Sequence, residues 1–363
     1  VAVVEVNPRL DNLGLDPLPD IDFNIRCGNT LVGYATEKEL DNDLNYGDMF
    51  AKQEFKDKVE LEMEVVARAY EQFKDLQLTS QEEASEFKES KMLLKAKLSE
   101  LNDLLNHKLF SSMVSDASIS YEEWLSSHQP FHWLAEYYHI MHSNGGFDVI
   151  IGNPPYVKYK REKCAYSIKN YITESCGNLY AFCMERSYTL SKTAIVGMII
   201  PLSSICAKNM DKLRNIVCKY DSWVSSFEIR PSKLFEGVDQ RVSILITNNL
   251  CNNQTLSTAI MRWDTECRKI LFKQLYYSLT VTEERIWRFS NIKELSIYKK
   301  FCTHHPIAKE ISNEGNNYIH YRSAGLRYWI IFLLSEFGTD SLSNKKIKFE
   351  NKEVSQAIMA GLN

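Results

Sequence analysis

Phe147-Asp148-Val149-Ile150-Ile151-Gly152-Asn153-Pro154-Pro155-Tyr156 is the stretch whose reading decides the fold of this chain. The run 147–151 has strong strand character, and a turn residue, two prolines and an aromatic follow at once. That pattern predicts a buried strand stopping in a stiff, polar-tipped loop. In open α/β sheets, ligands collect in loops of this kind, at the carboxyl ends of the strands. Two adjacent prolines fix φ and bias Asn153 and Pro154 towards extended geometry, which lets the Asn153 side chain and the Pro154 carbonyl point the same way. Two acceptors a short distance apart suit a planar amino group. Read alone, the same residues also fit a strand ending in a proline turn with no chemical role.

Composition sets the frame around that loop. The 363 residues are 44% hydrophobic and rich in aromatics, which indicates a globular chain long enough for two domains. No apolar run has the length of a membrane span, and the N-terminus has no signal-like core. The nine cysteines include no Cys-x-x-Cys pair, and Cys302, beside His304 and His305, has no second cysteine near it. We read a reduced, cytoplasmic chain that holds no metal. The net charge of −4 hides a division: residues 1–150 carry −15 and residues 151–363 carry +11. A basic half that begins at the proline loop suits a phosphate backbone, although an acidic arm beside a mildly basic domain explains the division as well.

Between Met49 and Leu109, apolar residues step by three and four: Phe55, Val59, Met63, Val66, Tyr70 and Phe73, then Phe87, Leu94, Leu98, Leu101 and Leu105. Two long amphipathic helices are expected, paired as an antiparallel hairpin, with Ser80 and Glu83 as a capping box opening the second. The hairpin reads as a spacer arm or docking surface without chemistry of its own. His132, in Pro130-Phe131-His132-Trp133, reads as structural. Beyond the proline loop, Lys158, Lys160, Arg161 and Lys163 interleave with Val157 and Tyr159, a segment that fits either phosphate steering or a solvated surface. A helix is expected to open at Asn178-Leu179-Tyr180, and a buried strand over 194–201 ends in Pro201.

With these segments in place, the chain resembles the gamma-class N6-adenine DNA methyltransferases, most closely the large type IIG restriction-modification and phage-defence methylases. The resemblance rests on the Asn153-Pro154-Pro155-Tyr156 loop after its strand, on Gly28-Asn29-Thr30-Leu31 within residues 16–33, on Asn178-Leu179-Tyr180, and on Arg230-Pro231-Ser232-Lys233-Leu234-Phe235 before a strand ending near Ile246. It implies an α/β fold: a partial Rossmann-like sheet of the kind that binds S-adenosylmethionine, interrupted by the helical hairpin and followed by the start of a target-recognition domain. The expected divisions are 1–48 for part of the core, 49–109 for the hairpin, 110–250 for the catalytic core and 251–363 for the recognition domain.

The implied reaction is methyl transfer from S-adenosylmethionine to the amino nitrogen of an adenine flipped out of double-stranded DNA. In that resemblance Asn153, Pro154, Pro155 and Tyr156 are catalytic, and Tyr156 and Phe235 stack on the two faces of the base. Asn29, Thr30, Asn153, Pro155 and Asn178 contact the cofactor, and Lys158, Lys160, Arg161 and Arg241 contact DNA. Flipping a base costs a few kcal/mol, which aromatic stacking of roughly 1–3 kcal/mol per base offsets. The family's glycine-rich cofactor loop is not found in these residues, and Glu5 is a weak candidate for the ribose-binding acid. Since residue 1 is Val, we expect that loop upstream of this sequence. A non-catalytic DNA-binding or specificity protein that keeps the base pocket is the alternative, and a nuclease in the parent chain is a third possibility.

Overall fold

The computed structural model describes residues 7, 9, 22–44, 49–78, 84–114, 119–160, 164–249, 252–282, 285–304, 306–323 and 332–362. Glu5, residues 16–21, Ser80 and Glu83, and Arg161 and Lys163, which the sequence reading uses, lie outside the described residues. Two units divide the chain, Val1–Ser290 and Asn291–Asn363.

The first unit begins with a short helix, α1 (Glu37–Asp43). The Thr36 hydroxyl caps it by accepting from Glu39 N–H, which satisfies one of the amide donors that every helix start leaves without a partner. Two 30-residue helices follow, α2 (Met49–Leu78) and α3 (Ala84–Met113). Their spacing of three and four puts Val59, Met63, Val66 and Phe73 of one against Leu94, Leu98, Leu101 and Leu105 of the other, all buried. Leu40 and Leu44 before the pair, and Trp124 and Leu134 after it, join the same cluster. Trp124 belongs to α4 (Tyr121–His128), which Ser120 and Glu123 open with a reciprocal capping box, and Leu134 to α5 (Trp133–Glu136).

The sheet is built from β1 (Val149–Gly152), β2 (Ile195–Pro201), β3 (Asp221–Phe227), β4 (Val242–Asn248), β5 (Thr255–Met261) and β6 (Ser278–Leu279), in the spatial order β1-β2-β4-β3-β5-β6. β1 and β2 are parallel, as are β3 and β5, while β4 runs against both β2 and β3. The fold is therefore mixed α/β with a sheet containing parallel pairs. A parallel pair needs a crossover, and α6 (Leu179–Leu190) supplies it between β1 and β2. Tyr180, Met184 and Tyr188 of α6 pack on Val196, Met198 and Ile200, the alternate residues of β2. α7 (Ser203–Cys206) and α8 (Asp211–Val217) link β2 to β3 and bury Ile205, Leu213 and Val217 on that same side.

Two expectations need correction. The strand before the proline loop is not buried on both faces: it lies at the sheet edge, with Val149 and Ile151 exposed at 52% and 81% and only Ile150 packed on the core. Among the described residues, β2 is its one strand partner. Where a boundary is expected at residue 251, the chain instead continues the sheet. β5 pairs with β3 and β6 with β5, so the first unit extends to Ser290.

In the second unit, Asn291 Oδ1 accepts from Lys293 and Glu294 N–H to start α9 (Ile292–Cys302). β7 (Asn317–Arg322), β8 (Phe332–Leu333) and β9 (Asn344–Phe349) form an antiparallel sheet in the order β8-β7-β9, and α10 (Lys352–Leu362) follows. Ile319 and Phe349 are fully buried there. No helix among the described residues is long and apolar enough to cross a membrane.

Candidate active site

Strand direction creates the site. Because β1, β2, β3 and β5 run one way and β4 the other, one end of the sheet gathers the last residues of four strands and the first of a fifth. Pro201, Val242, Phe227 and Met261 lie in register there. β1 stops earlier, since Gly152 pairs with Met198. The loop after it therefore runs beside the last residues of β2, at the carboxyl ends where α/β sheets hold ligands.

In that loop Asn153 and Pro155 are exposed, Pro154 is buried, and Tyr156 is half-buried between the clusters on the two faces of the sheet. The Tyr156 hydroxyl donates to the carbonyl of Ile199 (2.9 Å) and approaches Asn153 Oδ1 (3.1 Å). One proton serves both acceptors, and an amide oxygen has two lone pairs, so Asn153 Oδ1 retains capacity for a second donor. Burial pushes the Tyr156 phenol up to about 12, so it stays protonated at neutral pH. The Tyr180 ring meets the Tyr156 ring edge-on, with centroids 6.2 Å apart.

Phe235 lies in the connection between β3 and β4. It packs against the cluster of Phe227, Leu234, Val242, Trp263 and Leu271, and Tyr156 packs against that same cluster. The two aromatics, 79 positions apart, thus share one apolar patch at one end of the sheet. Arg268 fixes the connection by donating to the carbonyls of Lys233 (3.2 Å) and Leu234 (2.9 Å).

The loop continues into a short strand-like pairing with the start of α6. Tyr159 N–H donates to Gly177 O (3.0 Å), and Leu179 N–H to Val157 O (2.9 Å). Asn178 sits at the α6 N-cap position without a side-chain cap bond, and its Nδ2 donates to Cys176 O (3.0 Å). Asn29 Oδ1 accepts from Leu31 N–H (3.2 Å), an Asx turn of the kind a Gly-Asn step alone predicts. Thr30 Oγ1 accepts from Trp133 Nε1 (3.1 Å). Leu31 is buried with Tyr159 and Phe182, so the turn carrying Asn29 is packed beside the chain leaving the proline loop.

What locks that turn in place was not visible in the sequence. Arg186, buried on α6, donates through one terminal nitrogen to Glu39 Oε1 (2.6 Å) and Oε2 (2.8 Å) and through the other to Gly33 O (3.4 Å). Its guanidinium also lies over the Tyr171 ring, and the Tyr171 hydroxyl donates to Leu31 O (3.3 Å). A cleft of about 750 Å³ opens nearby, lined by Leu31, Gly33, Tyr34, Tyr171, Glu185 and Arg186, and residues 153–156 take no part in it. His132 is fully buried: its Nδ1 accepts from Tyr34 N–H (3.1 Å), which leaves Nε2 protonated and donating to Asn106 Oδ1 (3.0 Å).

Lys158 and Lys160 are exposed, and Arg161 lies outside the described residues. Arg241 is also exposed, but its Nε donates to Glu228 Oε1 at 2.6 Å. Among the described residues, no group of three or more His, Cys, Asp or Glu side chains has the geometry to hold a metal ion.

Residues 76–235 match the Eco57I restriction-modification methylase family. The matched segment takes in α3, the proline loop, β2 and β3, and ends on Phe235. A curated relative from Methanocaldococcus jannaschii, whose name describes a type II restriction enzyme and methyltransferase (RM.MjaORFECS2P), is 27% identical over 221 residues. The match covers 51% of this chain and 19% of that protein, so the chain spans about a fifth of its relative's length. Among solved structures, the DrdV–DNA complex aligns with a TM-score of 0.34 and 16% identity, over 42% of this chain and 19% of the other. A nuclease-deletion mutant of the Type ISP restriction-modification enzyme LlaGI, in complex with a DNA substrate mimic, aligns with a TM-score of 0.35 and 12% identity, over 62% and 22%.

Proposed function

We propose that this chain is the catalytic part of a DNA methyltransferase that acts on the exocyclic amino group of adenine in double-stranded DNA, within a restriction-modification or phage-defence system. The observation that carries the reading is the exposed Asn153 amide at the end of β1, followed by two prolines and a Tyr156 that shares one apolar patch with Phe235. In this reading the Asn153 oxygen and the Pro154 carbonyl accept from the target amine and hold its lone pair towards the methyl donor. Pro155 stiffens the loop. Tyr156 and Phe235 receive the two faces of the flipped base, at a stacking gain of roughly 1–3 kcal/mol each.

S-adenosylmethionine supplies the methyl group, and in this reading Asn29, Thr30 and Asn178, with Asn153 and Pro155 of the loop, receive it. The committed atom of Asn178 is its amide nitrogen, and Asn29 Oδ1 spends one lone pair on Leu31 N–H. Both residues therefore retain acceptor capacity for an adenine amino group. Lys158, Lys160, Arg161 and Arg241 neutralise phosphates around the loop.

The test is transfer of labelled methyl from S-adenosylmethionine to unmethylated duplex DNA by the complete protein and its Asn153→Ala variant. Label on adenine N6 is expected, with a fall of more than about 100-fold in the variant, the scale of removing one preorganised hydrogen-bonding group. DNA binding without label on any base would instead identify a specificity protein that keeps the pocket.

A further inference from the structure

Glu228, the residue after β3, is a buried carboxylate at the same end of the sheet as the proline loop. Its Oε1 accepts from Arg241 Nε (2.6 Å) and from its neighbour Ile229 N–H (3.0 Å), while Oε2 faces an Arg262 terminal nitrogen at 3.9 Å. The pairing follows from topology: β4 starts opposite Phe227 and β5 ends opposite it, so the residue before β4 and the residue after β5 converge on the residue after β3. Burial alone raises the carboxyl's pKa, but the hydrogen bonds and the two guanidinium charges outweigh it and hold Glu228 below its ordinary value. It is an anion at neutral pH.

The exposures are unequal. The Glu228 side chain is 8% exposed, Arg241 54% and Arg262 73%. One inward carboxylate neutralises one guanidinium, so a net positive charge faces solvent on two planar donor groups, Arg241 hydrogen-bonded to the carboxylate and Arg262 at ion-pair distance from it. In the same connection Lys233 is paired with Asp239. Guanidinium planes match phosphate oxygens better than any other side chain does, and a pre-oriented pair loses less freedom on binding. Beside them, Tyr156 and Phe235 offer faces for a base.

We propose that Glu228 holds Arg241 and Arg262 as a fixed cationic fork that receives a DNA backbone phosphate at the mouth of the base pocket. This rests on the reading of the chain as DNA-binding. Glu228 is a positioning residue in this scheme and does not itself touch DNA.

The experiment is equilibrium binding of the complete protein to a fluorescent duplex across a salt series. Arg241→Gln and Arg262→Gln each remove one charge and keep a planar polar side chain; Lys192→Gln, exposed at the opposite end of the sheet, is the control. The slope of log K against log salt should flatten by about 0.9 in each arginine variant and stay unchanged in the control. Glu228→Leu removes the negative charge together with the acceptor for Arg241, so bulk electrostatics predicts tighter binding, whereas the fork predicts weaker binding because Arg241 is released. Unchanged slopes, or tighter binding by Glu228→Leu, would overturn the fork. Labelled methyl transfer by the same wild-type sample separates the two readings: transfer with unchanged slopes removes the fork alone, and loss of both DNA binding and transfer removes the functional proposal with it.

Discussion

His132 shows how an ionisable side chain can serve as a rivet. It accepts at one ring nitrogen and donates at the other, so only the neutral ring satisfies both Tyr34 N–H and Asn106, and burial pushes its pKa down to about 3. The unfolded chain takes up that proton near pH 6.5, so between about pH 6.5 and 3 the unfolded state binds more protons than the folded one. The contribution of His132 is therefore complete above about pH 6.5 and is lost as pH falls. Between pH 7 and pH 5 the loss is about 2 kcal/mol. Urea unfolding of the wild type should show it as a lower midpoint at pH 5, and His132→Gln, which cannot charge, should be less stable at pH 7 but flatter across this range. Equal slopes for the two proteins would mean that His132 titrates normally. Other residues were partly legible beforehand. The proline loop could be read because its four members are contiguous, and Asn29 admitted a turn because Gly-Asn is a local signal. Glu228 and Arg262 could not be read, since they are distant in sequence and meet only through strand pairing.

The element that carries the proposed cofactor contacts Asn29 and Thr30 is the turn over 28–35, which is laced to residues 129–134. Asn29 N–H donates to Gln129 O (2.7 Å), Phe131 N–H to Val32 O (2.7 Å) and Leu134 N–H to Tyr34 O (3.2 Å). Gly33 sits inside this lacing at φ +128°, where a Cβ would stand 2.3 Å from Phe131 O. Backbone strain of that kind costs roughly 1–3 kcal/mol before any clash is counted. Gly33→Ala is expected to lower the unfolding midpoint and, by shifting Asn29 and Thr30, to raise KM for S-adenosylmethionine several-fold more than it lowers kcat. An unchanged KM would detach this turn from cofactor binding. Helix spacing made α2 and α3 legible because burial of one stripe repeats every three to four residues. The strand 149–152 misled because an apolar run reports strand character but not which strands flank it, and here one side of β1 has no described partner.

At the scale of the molecule, contacts divide the chain after Ser290, and each unit closes its own core: the six-stranded sheet with its helices in one, Ile319 and Phe349 in the other. The expected consequence is that a chain ending at Ser290 retains the circular-dichroism spectrum and unfolding midpoint of the sheet-bearing unit. A drop of more than a few degrees would show that the second unit supports the first. The boundary was misread because the composition changes near residue 251, where the chain turns irregular, whereas hydrogen bonding to β3 carries β5 into the sheet. The helical pair has a different consequence. Its two 30-residue legs leave from Leu44 and return to Trp124, and both of those residues sit in one cluster. A heptad added to each leg would therefore extend the pair by about 10 Å without moving either root. Evolution can retune the reach of such an arm like the boom of a crane, leaving the packing at its base untouched.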